Sequence, residues 1–97
     1  MASAEKIGYV LALGSNVGDR HANLQQAIRA LGAQTEIVKE SRILETWPIL
    51  IRAQGRFLNQ GIYLVTEKQP DELLAITRAV EQQIGRKKRI KNGPREI

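Results

Sequence analysis

No segment constrains the fold of this chain more than residues 70–85. Pro70 suits a first helical position, Asp71 and Glu72 place acids at the positive end of a helix, and Gly85 supplies a stop. Between them Leu73, Ile76, Val80 and Ile84 recur at helical spacing as one apolar stripe. A helix with a single stripe must lay it on another apolar surface. Leu24, Ala27, Ile28 and Leu31 make the same demand at i, i+3, i+4 and i+7, with Asp19 as cap or first-turn acid and Gly32 at the end. Two one-faced helices in 97 residues leave room for one modest core, which buries roughly two-thirds of the surface of the unfolded chain.

The partners of those stripes are strands. Residues 7–13 (IGYVLAL) form an almost continuous apolar run ended by Gly14-Ser15-Asn16, the pattern of a buried strand stopping at a turn. Residues 35–38 and 41–44 are short β-prone pieces read together as one strand, broken by Thr46-Trp47-Pro48; residues 49–56 read as a loop. Residues 57–66 (FLNQGIYLVT) read as a strand in which Phe57, Asn59, Gly61, Tyr63 and Val65 share one face and Leu58, Gln60, Ile62 and Leu64 the other. The order βαββα predicts an α+β domain of ferredoxin-like type: a small, mainly antiparallel sheet with two helices on one face. That fold has one more strand after the second helix. The sequence stops at Ile97, so the expectation is a single domain over 1–97 with its final strand missing and an open sheet edge, a place for a homodimer to form.

Charge narrows the partners. A net charge of +5 and a pI near 10.0 favour anions. Six of the 15 basic residues (Arg86, Lys87, Lys88, Arg89, Lys91, Arg95) fall within residues 83–95 without an acid among them, either a phosphate-binding run or a solvated tail. With no cysteine and one histidine, thiolate and histidine-built metal sites are excluded, and a reducing cytoplasm suits the chain. Neither a signal peptide nor an apolar run of membrane-spanning length is present in these residues.

Five segments also carry a resemblance. Residues 12–20 (ALGSNVGDR), 45–48 (ETWP), 57–59 (FLN), Glu81 through Gly85-Arg86, and Gly93-Pro94-Arg95 stand in the order and spacing of the 6-hydroxymethyl-7,8-dihydropterin pyrophosphokinase family. The chain resembles the N-terminal part of a member along essentially its whole length. The resemblance implies transfer of pyrophosphate from ATP to the hydroxymethyl group of a dihydropterin, in folate biosynthesis, with Mg2+. On the pterin side it implies Thr46, Pro48, Phe57 and Asn59, with Phe57 either stacking on the heterocycle or filling core and Asn59 facing its amide-like edge. Ser15 and Asn16 either shape that side or merely bond within their turn. On the nucleotide side it implies Glu81, Arg86, Lys88 and Arg95, the last three also as catalytic groups that grip phosphate. Lys88 stands where the family usually has arginine, Arg78 where an uncharged side chain is common, and Asn92 where an aromatic is common. In the family, Gly-Pro-Arg precedes two magnesium-binding aspartates; here Glu96-Ile97 follow and no metal ligand is assigned. The expectation is therefore a polypeptide that is inactive by itself. The alternatives are a non-catalytic pterin- or nucleotide-binding partner protein and a nucleic-acid module, the latter disfavoured by the 4% aromatic content, which leaves few rings to stack on bases.

Overall fold

The computed structural model describes residues 5–47 and 55–85. In chain order its elements are β1 (Ile7–Ser15), α1 (Arg20–Gly32), β2 (Glu36–Glu40), β3 (Leu44–Thr46), β4 (Phe57–Thr66) and α2 (Pro70–Ile84). β4 is the strand to which all the others pair. β1 runs antiparallel along one side of it, and β2 and β3 lie end to end along the other, also antiparallel.

The helices begin and end where their sequence signals stand. The Asp19 carboxylate accepts a hydrogen bond from the Ala22 N–H at 3.1 Å and caps α1. α2 starts at Pro70, with the Gln69 N–H donating to the Glu72 carboxylate at 3.1 Å, and stops at Gly85, whose φ of 114° is open to glycine and strained for other residues. Gly85→Ala is expected to cost about 1 kcal/mol through that backbone strain, since no atom of the described residues lies within 4 Å to obstruct the added methyl. Urea unfolding of the variant checks this.

Both helices cover the same face of the sheet. Leu24, Ala27 and Leu31 of α1 and Leu73 and Val80 of α2 form one core with Leu58, Ile62 and Leu64, which share one face of β4. Alternation in β4 is as the sequence predicts: Phe57, Asn59, Gly61, Tyr63 and Val65 share the face turned away from the helices.

Two expectations are corrected. β1 is not buried on both sides. Tyr9, Leu11 and Leu13 are half-buried against the core that the helices cover, whereas Val10, opposite Tyr63, is 79% exposed, because among the described residues both helices lie on the other face. The segment between α1 and β4 is also two strands rather than one, giving βαβββα. Its pairing to β4 slips by one residue between Ile37 and Lys39, and the ladder is interrupted between Glu40 and Leu44. Ser41 bridges that interruption: its N–H donates to the Gly61 carbonyl and its Oγ accepts from the Gly61 N–H, both at 2.8 Å. The expected missing strand would follow Gly85, outside the described residues; β1 pairs among the described residues with β4 alone.

Candidate functional site

At one end of the sheet the register sets Thr46 opposite Phe57 and Leu44 opposite Asn59, on the face away from the helices. The Asn59 side-chain amide donates both hydrogens, to Thr46 Oγ1 at 2.7 Å and to the Leu44 carbonyl at 3.3 Å. Its orientation is thereby fixed, and no donor among the described residues meets its Oδ1. The donor half of the amide is thus committed within the protein; the acceptor half remains. Phe57 is half-buried on this outer face and has no part in the core cluster, so it is not a core-filling side chain. Three of the four pterin-side candidates are thus brought together, and Pro48 lies outside the described residues.

The turn after β1 closes one flank of this end. Asn23 of α1 donates to Ser15 Oγ at 3.2 Å and to the Val17 carbonyl at 2.9 Å, which gives the buried Ser15 hydroxyl a partner on the helix. Asn16 reaches further: its Nδ2 donates to the Gly55 carbonyl at 3.1 Å, just before β4. The backbones are close enough there that a Cβ on residue 55 would sit 3.1 Å from the Asn16 carbonyl oxygen.

Next to Thr46, Glu45 takes part in an ion-pair cluster that the sequence reading did not single out. Its Oε2 lies 3.0 Å from Arg20 Nη1 and its Oε1 3.5 Å from Arg56 Nη1, while the Arg56 guanidinium stacks 4.0 Å over the Trp47 ring. The hydrogen bond from Arg20, then the positive charges of Arg20 and Arg56, hold the Glu45 carboxyl below the ordinary glutamate range. A carboxyl whose pKa is depressed in the folded state contributes stability above its unfolded value and loses it as pH falls through the folded value. The Arg20–Glu45 contact is therefore expected to persist at neutral pH and open only below the ordinary carboxylate range. A carbon-13 NMR titration of the Glu45 carboxyl checks this, with a midpoint at or above that of a free glutamate as the contrary result.

Glu81 lies elsewhere. On α2 it lines a cavity of about 50 Å³ with Ala12, Leu13, Gly14, Thr77 and Val80, beside the outer edge of β1. Gly14 is common to both places, since it also faces Asn59 across the ladder. Arg86, Lys88 and Arg95, and with them Asn92, lie outside the described residues; Arg78 is exposed on α2. Among the described residues there is no group of three or more His, Cys, Asp or Glu that could hold a metal ion, and the described residues do not fit Mg2+. No helix among them is long and apolar enough to cross a membrane.

Sheet, helices and this outer-face cluster define a small antiparallel α+β domain whose polar grouping lies opposite its core. The chain belongs to the 7,8-dihydro-6-hydroxymethylpterin-pyrophosphokinase (HPPK) family, whose model matches residues 10–97. It is 41% identical over 91 residues to the 2-amino-4-hydroxy-6-hydroxymethyldihydropteridine pyrophosphokinase of Bacillus subtilis, covering 92% of this chain and 54% of that protein. It is 45% identical over 87 residues to the enzyme of the same name from Aquifex aeolicus, covering 90% and 54%. A mitochondrial folate synthesis bifunctional protein of Arabidopsis thaliana is 38% identical over 89 residues, covering 91% of this chain and 16% of that one. The chain spans about half the length of the bacterial relatives it matches.

Proposed function

We propose that this chain forms the pterin-binding part of a pyrophosphokinase that transfers pyrophosphate from ATP to 6-hydroxymethyl-7,8-dihydropterin in folate biosynthesis. One observation carries the reading: the Asn59 amide is locked by Thr46 and Leu44 with its carbonyl oxygen left as a directed acceptor. A pterin ring presents N–H donors along its amide-like edge, and a fixed acceptor beside the half-buried ring of Phe57 suits a flat heterocycle. Pro48 joins that side.

The nucleotide side is formed by Glu81 with Arg86, Lys88 and Arg95, the three cations gripping ATP phosphates and offsetting charge that moves in transfer. Lysine at position 88 attracts phosphate without the two-pronged fit of arginine. The family's Mg2+ would neutralise phosphate charge when bound; of these four residues only Glu81 carries a carboxylate, so the 97-residue polypeptide is expected to bind pterin and to turn it over at most very slowly. The order of β1, β4 and β2 across the sheet fits a ferredoxin-like fold whose further strand would pair with the outer edge of β1, where a second copy would otherwise dock. A chain without cysteine suits the cytoplasm.

Calorimetric titration with 6-hydroxymethylpterin, with and without an ATP analogue and magnesium, tests the reading. Pterin binding that depends little on nucleotide is the expected result, and no pterin binding in either case would overturn it. AMP released from ATP and substrate at the rate of a full-length relative would overturn the expected inertness.

A further inference from the structure

We propose that Arg20 is a positioning residue for the pterin side, a latch that ties the end of β3 to the start of β4 and so holds Thr46 and Asn59 in register. The inference rests on the pterin reading of Thr46, Phe57 and Asn59. Its geometry is specific. Arg20 Nη1 carries two hydrogens and reaches two acceptors, Glu45 Oε2 at 3.0 Å and the Arg56 backbone carbonyl at 2.8 Å. One nitrogen therefore joins residues on either side of the segment that links the two strands.

The position of Arg20 argues against a role in helix stability. It is the first residue of α1, a helix with no acid in its first turn, and a cation at that end opposes the helix dipole. The exposed ion pair contributes little to folding by itself, with the Arg20 side chain 32% and that of Glu45 42% exposed. What the contact does is geometric. Glu45 pairs with the core residue Leu58, so its side chain lies on the helix side, and the next residue, Thr46, turns to the outer face beside Asn59. Holding Glu45 from below sets Thr46 above, and Thr46 Oγ1 is the acceptor that orients the Asn59 amide. Nearby, Asn16 grips the Gly55 carbonyl, so α1 and the turn before it hold the start of β4 at two successive residues.

The test compares Arg20→Gln, Arg20→Lys and Arg56→Ala in the 97-residue chain by pterin titration, by thermal unfolding and by the nitrogen-15 NMR signals of the Asn59 side-chain amide. Arg20→Gln is expected to weaken 6-hydroxymethylpterin binding about tenfold, to shift the Asn59 amide signals, and to leave the melting temperature within a few degrees. Arg20→Lys, which keeps one charged contact, is expected to recover part of the affinity. Arg56→Ala removes the Trp47 stack and the longer, 3.5 Å contact to Glu45 but leaves both Arg20 hydrogen bonds, to Glu45 and to the residue 56 carbonyl, and is expected to leave the Asn59 signals near their wild-type positions. If Arg20→Gln lowers the melting temperature while affinity and Asn59 signals stay put, Arg20 is only structural and the proposal is wrong. If the wild type itself binds no pterin, the functional reading fails, and the latch then stands on a shifted Asn59 signal in Arg20→Gln or falls on an unchanged one.

Discussion

Leu64→Ala is expected to remove about 3–4 kcal/mol of folding stability, roughly half of what a domain this small possesses. Leu64 is fully buried in the second half of β4, facing Tyr9 of β1 on one side and Ile37 of β2 on the other, and belongs to the single core that both helices share. Truncation there loses the transfer free energy of the deleted carbons and opens a cavity whose walls belong to several elements, so none can close it alone. On a domain of this length the melting temperature should fall by roughly 15–20 °C. Leu74→Ala, at a 49% exposed position on α2, is the control and should change stability by less than about 0.5 kcal/mol. Calorimetric melting of the pair checks the prediction. A loss below about 1 kcal/mol at Leu64 would mean that the domain is not assembled around β4.

The parts of this fold that local chemistry decides were legible from the residues. Asp19, Pro70 and Gly85 punctuate the helices by capping, ring geometry and left-handed backbone, and each acts within a few residues of itself. Alternation in β4 was readable because Asn59 and Gln60 mark opposite faces. β1 was not: its run of apolar residues carries no period, so nothing along it says that Tyr9, Leu11 and Leu13 pack on the helix-covered core while Val10 does not. The break at Ser41 was equally hidden, since it depends on how that residue meets Gly61, 20 positions away. In the site, Phe57 and Asn59 were paired by strand alternation, but the contact of Asn59 with Thr46 depends on register across 13 residues. The Arg20–Glu45 pair, 25 residues apart, left one local trace: an arginine at the helix end that ordinarily attracts acids.

Asn59→Leu is expected to lower affinity for 6-hydroxymethylpterin about 100-fold while costing no more than about 1 kcal/mol of stability. The two effects separate because of where Asn59 lies. Among the described residues its amide bonds only to Thr46 Oγ1 and the Leu44 carbonyl, on the outer face where water can replace both contacts, so the fold loses little. A bound pterin has no such substitute. With the ring against Phe57, its N–H edge would face a leucine, and a buried donor left without an acceptor costs about 1–3 kcal/mol. Thr46→Val leaves the Asn59 oxygen in place but removes the acceptor that fixes the amide, and should cost about tenfold in affinity. Phe57→Ala should cost a similar factor through lost stacking. The ranking is the sharper test, because a site in which Phe57 does most of the binding would reverse it. Pterin fluorescence titrations of the three variants, each beside a urea unfolding curve, decide the matter. If Asn59→Leu binds within threefold of wild type, the fixed acceptor is not what holds the ring.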